Sequence, residues 1–305
     1  MPPSRRTVIS TTLAAAASAS AATAPAKRFY EQWDVFTQTR LTGNPLAVFL
    51  DATGFTDAQM LAIARETNLS ETTFIFPKEP GHRVRIFTRE QELPFAGHPT
   101  LGTAAVLRAH TGKDKITLRL NAGEFTVEFD KSGYGEMVQQ DAVAAELHDV
   151  AAIAPLLGLS LDDFDTAYPI QNLSTGRPNL IVMLKSLVSL GKAAVNWPAA
   201  AQYFADGDRQ RGFYLLTREV LNKQARVHAR KPTRGGDDPA TGAAAGPAAA
   251  YLVRNGIAKP NERVLIEQGT EIGRPSQIYV SADGLRNIRV GGYCVKAMEG
   301  SLLFG

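Results

Sequence analysis

Apolar positions along the chain fall into many short runs and few long ones. Residues 29–36 and 46–50 read as strands on either side of the turn Thr42-Gly-Asn-Pro45. In residues 56–66, Met60, Ile63 and Ala64 recur at helical spacing behind Thr56, with Gln59 three residues after it, which predicts a capped helix. Residues 68–76 and the alternating 83–88 predict strands. Residues 115–120 and 124–129 predict a hairpin through Asn121-Ala-Gly123. Two segments, 99–110 and 239–255, are the marked helices, the second closed by Gly256. The Gln-, Asp- and Ala-rich stretch 138–150 reads as a connector, and 151–157 as a short helix ended by Gly158. Strands are predicted at 179–187, 212–217, 224–229, 263–267, 276–281, 287–291 and 293–298, and a helix at 197–205. One main helix per half among many short strands predicts an α+β fold of two similar halves. In each, a barrel-like sheet wraps a central helix. A doubly wound parallel sheet would need more helices between strands.

Two motif pairs support duplication. His98-Pro99-x-x-Gly102-x-Ala104 matches Asp238-Pro239-x-x-Gly242-x-Ala244 about 140 residues later, and Thr42-Gly43-Asn44-Pro45 resembles Thr175-Gly176-Arg177-Pro178 at a similar offset. Each His-Pro or Asp-Pro reads as a helix start with Pro at the first helical position. A helix start presents free N–H groups and partial positive charge, which suits a carboxylate or phosphate. Two such starts, one with His and one with Asp, predict a site for a small anion beside proton-handling groups.

The 305 residues, 44% of them apolar, allow two ordinary domains. The formal charge is only +3. Arg5 and Arg6 supply two of those charges in a leader, residues 1–26, that has no acid. A basic start, an Ala/Ser/Thr run and Ala-x-Ala sites mark this leader as an export signal of twin-arginine type. A periplasmic or exported location follows, with a cytoplasmic one as the alternative. A disordered Ala-rich tail and an organelle transit peptide are the other readings of the leader. No basic stripe with interleaved aromatics points to nucleic acid, and no apolar run is long enough to span a membrane in the mature protein. Cys294 is the single cysteine, so an intrachain disulfide, a cysteine zinc cluster and a two-thiol racemase are excluded. A small buried residue is the reading for it. No phosphate loop and no His pair at ligand spacing indicate a nucleotide or a metal.

Five motifs in order carry a family resemblance: Gly43-Asn-Pro-Leu-Ala-Val48, Asn68-Leu-Ser-Glu-Thr72, Glu92-Leu-Pro-Phe-Ala-Gly-His-Pro-Thr-Leu-Gly-Thr103, Asp238-Pro-Ala-Thr-Gly242 and Gln268-Gly-Thr-Glu-Ile-Gly-Arg-Pro-Ser276. Together they resemble the PhzF-like family of phenazine biosynthesis across nearly the whole mature chain. The resemblance implies a diaminopimelate-epimerase-like fold with the active site between the halves. It places the first half at 27–145, the second at 146–293, and the final segment 294–305 back on the first half. It also implies a homodimer, no cofactor, and isomerisation of trans-2,3-dihydro-3-hydroxyanthranilate or another small cyclic or amino-acid-like carboxylate.

The same resemblance makes Glu71 the general acid/base. The chemistry needs one carboxyl that gives a proton at one carbon and takes it from another, and partial burial would tune it. Without the motif, a Glu at a strand start reads as a surface residue. His98 and Asp238 are implied to bind the substrate's polar groups and assist proton movement; a turn residue and a helix cap are their plain alternatives. Ser70, Gly97 and Gly242 are candidate substrate-binding residues, with tight packing between halves as the alternative. Arg274 reads either as a carboxylate contact or as a strut at the junction. One departure stands out: Ala243 occupies the position where the family commonly has Ser. With the leader, it motivates a second hypothesis, an exported small-acid-binding or scaffold protein without turnover.

Overall fold

The structure, a computed structural model, describes residues 26–204 and 212–304. The predicted leader lies outside the described residues, apart from Ala26. The chain begins with β1 (Ala26–Val35) and β2 (Asn44–Phe49), then α1 (Asp57–Thr67). Next come β3 (Thr72–Phe76), β4 (Arg83–Phe87), β5 (Glu92–Leu93) and α2 (Gly97–Thr111). Then follow β6 (Lys115–Leu120), β7 (Gly123–Phe129), β8 (Gly135–Val138), β9 (Val143–His148) and α3 (Val150–Leu157). After these come β10 (Ile170–Ser174), β11 (Pro178–Leu184), α4 (Leu187–Lys192), α5 (Trp197–Tyr203), β12 (Gly212–Thr217) and β13 (Ala225–Arg230). The chain continues with β14 (Pro232–Thr233), β15 (Gly236–Asp237) and α6 (Gly242–Arg254). It closes with β16 (Val264–Gln268), β17 (Ser276–Asp283), β18 (Arg286–Gly292) and β19 (Cys294–Phe304).

The two marked helices are central for a compositional reason. Residues Gly97 to Leu107 of α2 are all buried, and so are most of α6's residues. A helix covered all round must lie inside, and runs of Ala, Gly and Thr let strands close over it. Helix α2 packs against β1, β2, β3, β6, β7, β8 and β19, and α6 against β10, β11, β17 and β18. Strand pairing runs continuously from one wrap to the other through the antiparallel β7–β8, β8–β18 and β18–β17 pairs. Strand β19 lies antiparallel to β1 along its length, from Ala26 opposite Phe304 to Val35 opposite Cys294. The result is the expected α+β fold. Helix α1 has the expected capping box, in which Thr56 accepts from the Gln59 amide and the Gln59 side chain accepts from the Thr56 amide. It buries Met60, Ile63 and Ala64 on a ring cluster of Phe49, Phe55 and Phe74.

Three expectations change. The connector at 138–150 contains β9, whose residues are mostly exposed and which pairs with β10. Strand β10 and helix α4 arise where no element was expected. Most consequentially, Pro does not open either central helix. Helix α2 begins at Gly97, so His98 and Pro99 lie inside its first turn, while α6 begins at Gly242, beyond Asp238-Pro239. The first turn's N–H groups have no helical partner, so Pro99 costs nothing at the third position either.

Candidate active site

The short link between α1 and β3 delivers Ser70 and Glu71. Asn68 ends α1 with φ 52°, in the left-handed region, and reverses the chain toward β3. Glu71 keeps 17% of its side-chain surface, and its Oε2 lies 3.6 Å from Nδ1 of His98. That spacing is contact short of a full hydrogen bond. Loss of water, then the neighbouring Asp238 carboxylate, push the Glu71 carboxyl up to about 8 against the opposing pull of Arg177. Burial pushes the His98 imidazole down to about 3, so the ring is neutral. Its Nε2 has no hydrogen-bond partner among the described residues.

Asn44 joins these groups to the other half. Its Nδ2 donates to Asp238 Oδ1 at 2.9 Å and to the Ala240 carbonyl at 2.9 Å, and stands 3.4 Å from His98 Nδ1. Asp238 also accepts from the Thr241 hydroxyl, and the Ser70 hydroxyl lies against the same carboxylate. Burial raises the Asp238 carboxyl above its ordinary value, while Thr241, Lys231, Asn44 and Ser70 favour its charged form. The loop around it is pinned by Gln268, whose Nε2 donates to the Asp238 carbonyl at 2.7 Å and whose Oε1 accepts from Tyr214 at 3.0 Å.

Gly97 and Gly242 meet directly. A Cβ on Gly97 would stand 3.1 Å from the Ala243 nitrogen and 3.2 Å from the Gly242 Cα, so the two helix starts approach closely through these glycines. Close packing is therefore one role they have. The backbone N–H groups of Gly97, His98, Gly242 and Ala243 find no acceptor among the described residues. Two converging helix starts with free N–H groups suit a carboxylate.

All six candidate residues thus fall in one cluster. Arg274 does not join it. Its guanidinium donates to Asp34 at 2.7 Å, to the Gly43 carbonyl at 2.9 Å and to the Thr42 carbonyl at 2.7 Å, which makes it the strut. Cys294 lines a separate cavity of about 540 Å³ with Trp33, Arg108 and Tyr293, and burial pushes its thiol up to about 12. Sequence reading did not single out Asn44, Thr241, Gln268, Tyr214 or Lys231 as site residues. Gln268 heads a motif already noted, and Asn44 and Thr241 lie within others, so a signal existed for them. Lys231 and Tyr214 carried none.

A raised carboxyl, a second carboxyl, a neutral imidazole and a nest of free N–H groups form a site for moving a proton on a bound acid. The family model described as phenazine biosynthesis-like protein, PhzC-PhzF, matches residues 33–300. Trans-2,3-dihydro-3-hydroxyanthranilate isomerase of Pseudomonas fluorescens is 34% identical, over 88% of this chain and 97% of its own. The structure of a PhzF-family phenazine biosynthesis protein of Bacillus anthracis aligns with TM-score 0.83 at 25% identity, covering 92% of this chain and 100% of its own. A predicted epimerase of Pseudomonas aeruginosa aligns with TM-score 0.78 at 36% identity, covering 91% of this chain and 100% of its own. By match length, identity and fold, the chain belongs to the phenazine biosynthesis-like PhzC-PhzF family and is an isomerase of that family.

Proposed function

We propose that the protein isomerises a small cyclic or amino-acid-like carboxylate, with Glu71 as the single proton carrier. The ionised Glu71 carboxylate takes a proton from a carbon of the bound acid. The electron pair left behind moves into the adjoining unsaturated system. The resulting carboxylic acid returns the proton at another carbon, and any enol formed relaxes to the ketone. His98 and Asp238 hold the polar substituents, and the free N–H groups of the α2 and α6 starts hold the carboxylate.

The observation that carries this reading is the convergence of Glu71, His98 and Asp238 at one place, where burial and Asp238 raise the Glu71 carboxyl to about 8. A proton carrier of that strength is accessible in both forms near neutral pH. The name of the Pseudomonas fluorescens relative makes trans-2,3-dihydro-3-hydroxyanthranilate the first substrate to try.

The test follows that compound by NMR in D2O with native protein and with Glu71→Gln. Isomerisation with deuterium uptake by the native protein alone supports both carrier and substrate. Turnover by both proteins refutes Glu71 as carrier. Binding without exchange in either favours the scaffold reading, and no binding moves the exchange assay to other small acids.

A further inference from the structure

Behind the start of α6 lies a cation that the proton chemistry does not use. Lys231 follows β13, and its backbone carbonyl accepts from the Asp238 amide at 2.9 Å. Its side chain crosses Gly212 of β12 to reach β11, where Nζ donates to Asn179 Oδ1 at 2.6 Å. A Cβ on Gly212 would lie 1.9 Å from Nζ, so glycine at that position clears the path. Asn179 in turn donates to the Ala243 carbonyl at 3.3 Å. The ammonium is therefore joined through one amide to a carbonyl in the first turn of α6, and it lies close enough to Asp238 for the two charges to act on each other.

Its partners do not balance its charge. Among the described residues, no carboxylate comes within ion-pair distance of Nζ, and its one hydrogen bond is to a neutral amide. Burial and the neighbouring Arg177 push the ammonium down to about 7, with Asp238 opposing them. A half-buried cation held in this way is stabilised by an anion that arrives beside it.

We propose that Lys231 is a specificity-determining substrate contact, which binds the substrate's carboxylate together with the first turn of α6 and so selects the acid over its neutral amide. This rests on the isomerase reading of the same site. Asn179 positions the ammonium.

Calorimetric titration at pH 6.5 with 3-hydroxyanthranilate and 3-hydroxyanthranilamide tests it, on native protein, Lys231→Met and Lys231→Arg. The native protein is expected to favour the acid by on the order of 30-fold, the range of one charge-assisted hydrogen bond. Lys231→Met is expected to erase that preference by weakening the acid alone, and Lys231→Arg to restore part of it. Thermal melting of each variant checks that the fold is intact. A Lys231→Met protein that keeps the preference overturns the assignment. So does native protein that treats acid and amide alike or takes up neither. Glu71→Gln separates the two claims: it is expected to keep the acid preference while losing deuterium exchange. Exchange that survives in Glu71→Gln refutes the isomerase mechanism and leaves the Lys231 result standing.

Discussion

The starts of α2 and α6 touch through Gly97 and Gly242, yet they equip the candidate site by different routes. In α2 the titratable residue is part of the helix: His98 sits in the first turn and its position follows from helix geometry. In α6 the corresponding place is Ala243, and Asp238 reaches the site from the preceding loop. That loop needs its own scaffold of Asn44, Thr241 and Gln268. Next to Gln268 along β16, Glu267 meets buried His228 of β13 at 2.8 Å, and His228 also reaches Glu271 at 2.7 Å. Two similar helix starts can thus place a titratable group by helix register in one case and by a polar network in the other.

Removing Glu71, the proposed proton carrier, should have the largest effect. Glu71→Gln is expected to lower turnover by about 10²–10⁴-fold in the exchange assay. For the native protein, kcat/KM should rise with pH through about 8, because the carboxylate must ionise to take the first proton. The stability sign is the opposite. The folded carboxyl binds its proton more tightly than the unfolded one, so stability falls as pH rises from the ordinary Glu range to about 8. Glu71→Gln should therefore melt higher than native protein at pH 8.

The network behind the second start comes next. Burial alone would lower the His228 imidazole, but hydrogen bonds to Glu267 and Glu271 outweigh it and raise the group to about 9. Its contribution is complete below the unfolded value, near 6.5, and is lost as pH rises through about 9. His228→Gln should cost on the order of 3 kcal/mol in urea unfolding at pH 6. The loss should be smaller at pH 9.5.

The contact between the starts should break unequally. A methyl at Gly97 meets helix backbone, whereas one at Gly242 meets the Phe36 ring at 3.2 Å. Gly97→Ala is expected to cost about 1–3 kcal/mol and Gly242→Ala less, both read by denaturant unfolding. The smallest change would make the starts more alike. Ala243→Ser adds a hydroxyl beside the free N–H groups and should lower KM by a factor of about five, near 1 kcal/mol.

The sequence made the first start easier to read than the second. Helix α1 was fully legible, since its cap, its spacing and its buried face are all local. The six candidate residues were also legible through motifs, and they do converge. What failed was alignment by proline. His98-Pro99 and Asp238-Pro239 match as strings but lie at different offsets from their helices: Pro99 sits in the first turn of α2, where its missing N–H has no helical partner to lose, whereas Pro239 stays in the loop before α6. Strand β9 was missed because its mostly exposed residues lack a buried alternation. Lys231 was missed because Arg230-Lys-Pro looks like any solvated charged turn, and only the fold brings it over Gly212 to Asn179.

The pairing of β1 with β19 also bears on the order of assembly. Strand β1, the first of the described strands, is flanked by β2 on one side and by β19, the last of them, on the other. During synthesis β1 must wait, with one edge unsatisfied, until β19, more than 250 residues later, has emerged. Such long-range closure slows folding and leaves an edge open to foreign strands. Deleting β19 should therefore damage the region around α2, although the deletion lies at the opposite end of the sequence.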